Sequence, residues 1–195
     1  MLGLLQPTDP AWTQVAEANL DQLLSDHAHC ELKAAQSALS LLGRYGGEAP
    51  ALLEPLTALA REETRHFSEV EQRIRSRGAR LELPRVDDYV AQLRSAASRT
   101  RSPAAPILLD RLLIAALIEG RSCERFRLLA DRLADAGLRG FYRELMVAEA
   151  HHFTLFSTLA ADCFGADESR RRLGELAQCE AAISERLPFG PTVHG

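Results

Sequence analysis

Several residue types are scarce in this chain, and each scarcity excludes a class of protein. There are only four cysteines among 195 residues, and none forms a C-x-x-C pair, which excludes a rubredoxin-type iron site and a zinc ribbon. The longest apolar run is seven residues, Leu112 to Ile118, whereas a helix needs about 20 to cross a bilayer. The start, Met1 to Leu5, has no basic segment. We therefore predict no signal peptide, no membrane partner and a cytoplasmic location.

Lysine is almost absent, and this skews the basic residues toward arginine. Lys33 is the single lysine, which leaves 22 arginines among the 23 basic residues. The net charge of −4 excludes a general polyanion binder. The arginines nevertheless cluster at 73–80, 94–101 and 170–172. Two interpretations stand for these clusters, namely solvated helix faces or a local phosphate-binding patch. The cysteines Cys30, Cys123, Cys163 and Cys179 are predicted to be reduced thiols in the core.

Helical periodicity dominates the sequence, and no stretch alternates with a period of two. It predicts long helices over about 9–45 (with a break near Ser25-Asp26), 51–77, 106–136 and 138–165, and a short last helix over 168–186. Roughly 26 residues, three of them prolines, separate the second helix from the third, and a small lid helix is predicted within them. A connection this long is typical of a crossover that brings the third helix back parallel to the second. We therefore expect an all-α, ferritin-like four-helix bundle that forms one domain over 1–195.

The most informative pattern is a Glu-x-x-His motif that occurs twice. The first copy holds Glu63 and His66, and the second holds Glu149 and His152. Each copy has a further glutamate about thirty residues upstream, Glu31 and Glu119 respectively. Positions i and i+3 share one helix face, so each motif can direct a carboxylate and an imidazole toward one point. Four carboxylates and two imidazoles on four helices are the ligand set of di-iron and di-manganese carboxylate proteins.

The surrounding residues indicate that these acids face a core. Glu149 and His152 lie in an otherwise apolar seam that runs from Leu138 to Cys163, and the other candidates lie in similar seams. Buried carboxylates need compensating charge, and no arginine falls on any of the four seams, so we predict a pair of divalent cations. Glu124 shares a helix face with polar residues, so Glu119 is preferred as the ligand. His27, one turn before Glu31, is interpreted as a hydrogen-bonded core histidine, with a role beside the ligands or the substrate as the alternative.

Three sequence strings resemble one protein family. They are D-H-x-x-C-E at Asp26 to Glu31, I-E-x-R-S-C-E-R-F at Ile118 to Phe126, and E-A-H-H-F at Glu149 to Phe153. Over nearly the whole chain the sequence resembles the tRNA 2-methylthio-N-isopentenyl-adenosine hydroxylases. Gly120 stands where that family usually has alanine.

The resemblance implies a bacterial di-iron monooxygenase that hydroxylates the isopentenyl group of an adenosine next to the tRNA anticodon. Dioxygen and an external electron donor would be the co-substrates. Glu31, Glu63, His66, Glu119, Glu149 and His152 would hold two iron ions, with manganese as the other metal considered. Arginine clusters would bind phosphates of the anticodon stem-loop, and Tyr89 or Phe189 would stack on a base. We expect a monomer. The alternatives are a ferritin-like protein that handles iron or oxidises a small molecule, and a helical binding module without metal.

Overall fold

The computed structural model describes residues 2–194, and within them every regular element is a helix. The helices are α1 (Trp12–Ala18), α2 (Leu20–Tyr45), α3 (Leu53–Ser76), α4 (Asp88–Thr100), α5 (Ile107–Arg132), α6 (Ala136–Phe164) and α7 (Ala166–Arg186), with a short 3₁₀ turn at Pro50–Leu52. Helices α2, α3, α5 and α6 are each longer than 20 residues, as the periodicity predicts. None of the described helices combines the length and hydropathy that a membrane crossing requires.

Two compact units make up the chain. One contains residues 16–86 and 191–193, and the other contains 1–15, 87–190 and 194–195. The expectation of a single domain over 1–195 therefore stays a prediction. In the first unit α2 packs against α3, and in the second α5 packs against α6 with α4 and α7 alongside.

Some predicted helix boundaries are wrong. The break in the first helical region lies at Asn19 rather than near Ser25, since Ser25 is buried within a continuous α2. The third helix ends at Arg132, and Gly137 lies in the first turn of α6 rather than at a helix end. The reason is a local cap: the side chain of Asp135 accepts a hydrogen bond from the backbone N–H of Leu138, which starts a new helix there.

The last boundary depends on a glycine. Gly165 separates α6 from α7 with φ +88° and ψ 145°, a conformation that strongly favours glycine. The last helix therefore begins at Ala166 rather than Glu168, and its 21 residues make it longer than expected.

The predicted long connection between the second and third helices is present as residues 77–106. Its small helix is α4, which buries Tyr89, Leu93 and Ala97 as the spacing predicts. Asp87 caps this helix by accepting a hydrogen bond from the N–H of Val90 at 3.0 Å. Val86 precedes this helix and is 84% exposed. Residues 77–87 thus have no helical structure.

Candidate metal centre

The first Glu-x-x-His motif lies with its upstream glutamate inside one unit. Glu31 is on α2, and Glu63 and His66 are on α3. All three are buried. His66 Nδ1 lies 3.3 Å from Glu63 Oε2 and 3.8 Å from Glu31 Oε2. Each side chain offers one ligand atom within 4.8 Å of the others. These three residues are called the α2–α3 cluster.

His27 belongs beside this cluster. It is 0% exposed, and its Nε2 lies 2.6 Å from Glu31 Oε1. The two residues are one helical turn apart on α2, so the contact follows from the i, i+4 spacing. His27 is thus buried and hydrogen-bonded, which agrees both with a core histidine and with a role beside a ligand. The contact leaves Oε2 as the Glu31 oxygen that faces His66.

The second motif repeats this arrangement in the other unit. Glu119 is on α5, and Glu149 and His152 are on α6. All three are buried. His152 Nδ1 lies 3.7 Å from Glu149 Oε2, and ligand atoms of Glu119 and His152 lie within 4.8 Å of each other. These residues form the α5–α6 cluster, which has the same two carboxylates and one imidazole as the α2–α3 cluster.

The chemistry of the two clusters fits divalent metal ions. Buried carboxylates are costly unless positive charge compensates them, and both clusters concentrate carboxylates beside an imidazole that can ligate in its neutral form. Oxygen and nitrogen donors without thiolates suit iron or manganese rather than a structural zinc ion. Cys123 lies one helical turn after Glu119, and burial raises the pKa of its thiol to about 11, which keeps it protonated. Its Sγ instead donates to the carbonyl oxygen of Met146 at 3.3 Å.

Comparison with known proteins decides the family. A family model described as tRNA-(MS[2]IO[6]A)-hydroxylase (MiaE) matches residues 2–195. The chain belongs to the MiaE family. The resemblance carried by the three sequence strings is therefore confirmed.

Two curated relatives of this MiaE-family chain carry one name, tRNA 2-(methylsulfanyl)-N(6)-isopentenyladenosine(37) hydroxylase. The protein from Pseudomonas putida is 37% identical over 172 residues, which cover 88% of this chain and 81% of the relative. The protein from Salmonella typhimurium is 32% identical, and the match covers 85% of this chain and 77% of the relative.

A solved structure is similar over almost the whole chain. It is Protein 43 with aldehyde deformylating oxygenase activity from Synechococcus, with a TM-score of 0.89 and 38% identity. The similarity covers 98% of the MiaE-family chain and 95% of the other. The prediction of an all-α, ferritin-like fold is confirmed.

The structure of this MiaE-family chain corrects one argument used to choose Glu119. Glu124 was placed on a polar strip, yet it is buried and its carboxylate accepts hydrogen bonds from the N–H and hydroxyl of Thr8. Arg121 is 0% exposed and lies 2.5 Å from Glu124. Helix α5 thus carries a buried arginine, which lies outside the apolar seam of Glu119. The carboxylates that Arg121 binds, however, are those of Glu124 and Glu180.

Sequence reasoning missed this buried network altogether. The Arg121 guanidinium donates through Nε and Nη2 to Glu180 Oε1 at 3.0 and 2.7 Å, and the Tyr89 hydroxyl donates to the same oxygen at 3.0 Å. Burial raises the pKa of the Tyr89 phenol well above its usual range, and the charge of Glu180 raises it further. Burial lowers the pKa of Arg121, but the charge and hydrogen bond of Glu180, together with Tyr89 and Glu124, outweigh it, so the pKa is raised. The i, i+3 spacing of Arg121 and Glu124 was the available signal.

Three further sequence expectations need correction. Tyr89 is 1% exposed, so it cannot stack on an incoming base, whereas Phe189 is 46% exposed. Arg172 is buried against Asp110, at 2.7 Å from Nε to Oδ1, and hydrogen bonding to Asp110 raises its pKa. It is therefore not part of a phosphate-binding patch. The four cysteines are free, as expected, but they are half-buried rather than core residues.

Proposed function

We propose that this chain is a dioxygen-dependent di-iron monooxygenase. Its substrate would be the 2-methylthio-N-isopentenyl-adenosine next to the anticodon of tRNA, and it would hydroxylate the isopentenyl group. The observation that carries the proposal is the duplicated cluster of two buried carboxylates and one imidazole, in a chain that belongs to the MiaE family. The names of the relatives from Pseudomonas putida and Salmonella typhimurium support the substrate.

The ligands we propose are the six residues of the two clusters. Glu31, Glu63 and His66 would join Glu119, Glu149 and His152 around two iron ions within one domain, with manganese as the alternative metal. Bound iron supplies the activation of dioxygen, which side chains alone do not provide. In the overall reaction one oxygen atom enters a C–H bond and the other leaves as water. An external donor supplies two electrons, and two protons are taken up.

The protein's own groups would orient the metal ligands and keep the centre dry. His27 would fix Glu31 through Oε1, so that Oε2 stays directed toward His66. The burial of both clusters would exclude water, which strengthens electrostatic interactions and protects reactive states from side reactions. The enzyme would act in the cytoplasm as a monomer, with tRNA, dioxygen and the electron donor as partners.

Metal analysis with matched variants tests the ligand assignment. The purified chain should bind two iron ions, counted by elemental mass spectrometry. Glu149→Ala should lose at least one of them, whereas Glu144→Ala, an exposed glutamate on the same helix, should retain both. Equal iron content in the two variants would refute the assignment. Many more than two ions per chain would indicate iron storage instead.

A substrate assay separates the proposed reaction from a second candidate. The 38% identity to a protein with aldehyde deformylating oxygenase activity favours a small aldehyde as that candidate. The iron-loaded chain, with a chemical reductant, is given either tRNA containing the isopentenylated adenosine or a small aldehyde. Nucleoside mass spectrometry should show a gain of one oxygen on the adenosine. Release of the formyl carbon from the aldehyde, with unmodified tRNA, would contradict our proposal.

A further inference from the structure

The end of α3 and the irregular segment after it, residues 73–86, combine positive charge with exposed apolar side chains. Five arginines lie between positions 73 and 86, against one acid, Glu82; they are Arg73, Arg75, Arg77, Arg80 and Arg85. This concentration stands in a chain whose net charge is −4. Leu83 and Val86 are 88% and 84% exposed. Neighbouring exposed apolar side chains within a charged surface are typical of an interaction site.

The segment is held in place by its backbone. The N–H of Glu82 donates to Ser25 Oγ at 2.6 Å, and the carbonyl oxygen of Glu82 accepts from His29 Nε2 at 2.8 Å. Both main-chain groups of Glu82 are thus bound to α2. Leu83, next in the chain, is therefore presented to solvent on an anchored backbone.

The same contacts place the segment level with the α2–α3 cluster along α2, on the opposite face of that helix. His29 is two residues before Glu31, which is about 3 Å along the helix axis and about 200° around it. On α3, Arg73 and Arg75 follow His66 by seven and nine residues, or about 10 to 14 Å along the axis. A nucleotide that reaches the cluster would bring neighbouring phosphates within range of these arginines.

The arginines near the start of α7 are less suited to bind a polyanion than those of residues 73–86. Arg170 pairs with Asp167, and Arg171 pairs with Glu168 and Glu175. The hydrogen bond from Arg171 lowers the pKa of Glu168, so that acid stays charged. Two exposed arginines therefore face three acids there, and the local charge is negative.

The 77–86 segment keeps an excess of positive charge even after its own pairs are counted. Arg75 pairs with Glu71, Arg77 with Asp21 and Arg85 with Glu82. Arg80 makes no ion pair with any residue from 2 to 194. Exposed pairs of this kind contribute little because solvent screens them, so a phosphate can replace the acids.

We propose that residues 73–86 form the surface that binds RNA beside the metal centre. The arginines would bind backbone phosphates of the anticodon stem-loop, and Leu83 and Val86 would contact an unstacked base or ribose. This inference rests on the proposed function, since the occupant is the proposed substrate.

A binding assay with matched double variants tests the surface. Affinity for an anticodon stem-loop RNA carrying the isopentenylated adenosine is measured by fluorescence anisotropy across a range of salt concentrations. Replacing Arg80 and Arg85 by glutamine should weaken binding about tenfold and reduce the slope of log affinity against log salt by roughly 1.4–1.8. The control replaces Arg170 and Arg171 by glutamine and should change neither quantity. Leu83→Ser with Val86→Ser should weaken binding without changing the slope.

Failure of this inference is distinguishable from failure of the proposed function. Suppose that the wild-type chain hydroxylates the tRNA. The surface assignment is then wrong if R80Q/R85Q binds the RNA as tightly as the wild type does. It is also wrong if R80Q/R85Q binds the RNA no more weakly than the control variant of Arg170 and Arg171 does. If R80Q/R85Q instead slows reduction by an acidic redox protein with RNA affinity unchanged, the surface is a docking face for that partner. That result would also overturn the proposal. A wild-type chain that neither binds nor modifies the RNA would refute the proposed function itself.

Discussion

Replacing Arg121 by methionine tests the energetic role of the buried network on α5. Methionine keeps an unbranched side chain of similar length but removes the charge and the donors. In the folded chain these donors reach Glu180, Glu124, Thr8 and the carbonyl oxygen of Gln6. Arg121→Met would leave two buried carboxylates, 0% and 7% exposed, without this cation.

The expected cost is large because a buried charge loses its partner. Removing one member of a buried ion pair costs about 3–5 kcal/mol. In a domain of 150–250 residues each 1 kcal/mol lowers the melting temperature by about 2–4 °C. Arg121→Met should therefore lower it by about 6–20 °C. Stabilities of about 5–15 kcal/mol leave the variant folded at room temperature.

Urea unfolding followed by tryptophan fluorescence measures this effect directly. Trp12 is the single tryptophan, it is fully buried, and it lies in the same unit as Arg121. Arg127→Met, an exposed arginine on the same helix, is the control and should change the free energy of unfolding by less than about 0.5 kcal/mol.

A second variant checks the cause. If unpaired carboxylates produce the loss, adding Glu180→Gln to Arg121→Met should restore at least about 1 kcal/mol, since a neutral amide is cheaper to bury. A loss below about 1 kcal/mol for Arg121→Met alone, or no recovery in the double variant, would show that the network does not stabilise the fold in this way.

Three further predictions concern single positions. Arg172→Met should cost about 3–5 kcal/mol in urea unfolding, because buried Asp110 loses both hydrogen bonds from that guanidinium and keeps only Arg101, at 3.6 Å. Gly165→Ala should lower the free energy of unfolding by about 1–3 kcal/mol, since φ there is +88°. Gly140→Ala within α6 should instead raise the free energy of unfolding by about 0.5–1 kcal/mol. A shift of the same sign in both variants would contradict the backbone argument. Alkylation of Cys123 by iodoacetamide, followed by peptide mass spectrometry, should keep accelerating with pH toward about 11 in the folded chain, but level off near 9 in urea.

Local patterns predicted the helices and the burial of the ligand candidates well. Glu149 and His152 are neighbours because they are three residues apart on one helix, and such contacts depend only on the helical period. The same holds for His27 and Glu31. The apolar seams around these residues identified them as buried, and each of them is.

Contacts between distant parts of the chain could not be predicted in this way. Arg121 is buried because Glu180, 59 residues away, and Thr8, 113 residues away, converge on it. From the helix alone, its partner Glu124 was assigned to a polar face. Arg172 was misassigned for the same reason, because its partner Asp110 is 62 residues away.

The sequence by itself therefore determined the helical class, the two Glu-x-x-His motifs and their burial, since periodicity and side-chain chemistry are local properties. Only the tertiary structure decided which arginines are buried as ion pairs and which remain on the surface. A guanidinium is stable in either setting, and the choice depends on whether folding brings a carboxylate to it. The exposed 77–86 segment likewise required the structure, because its position depends on hydrogen bonds to α2 from a residue more than fifty positions away.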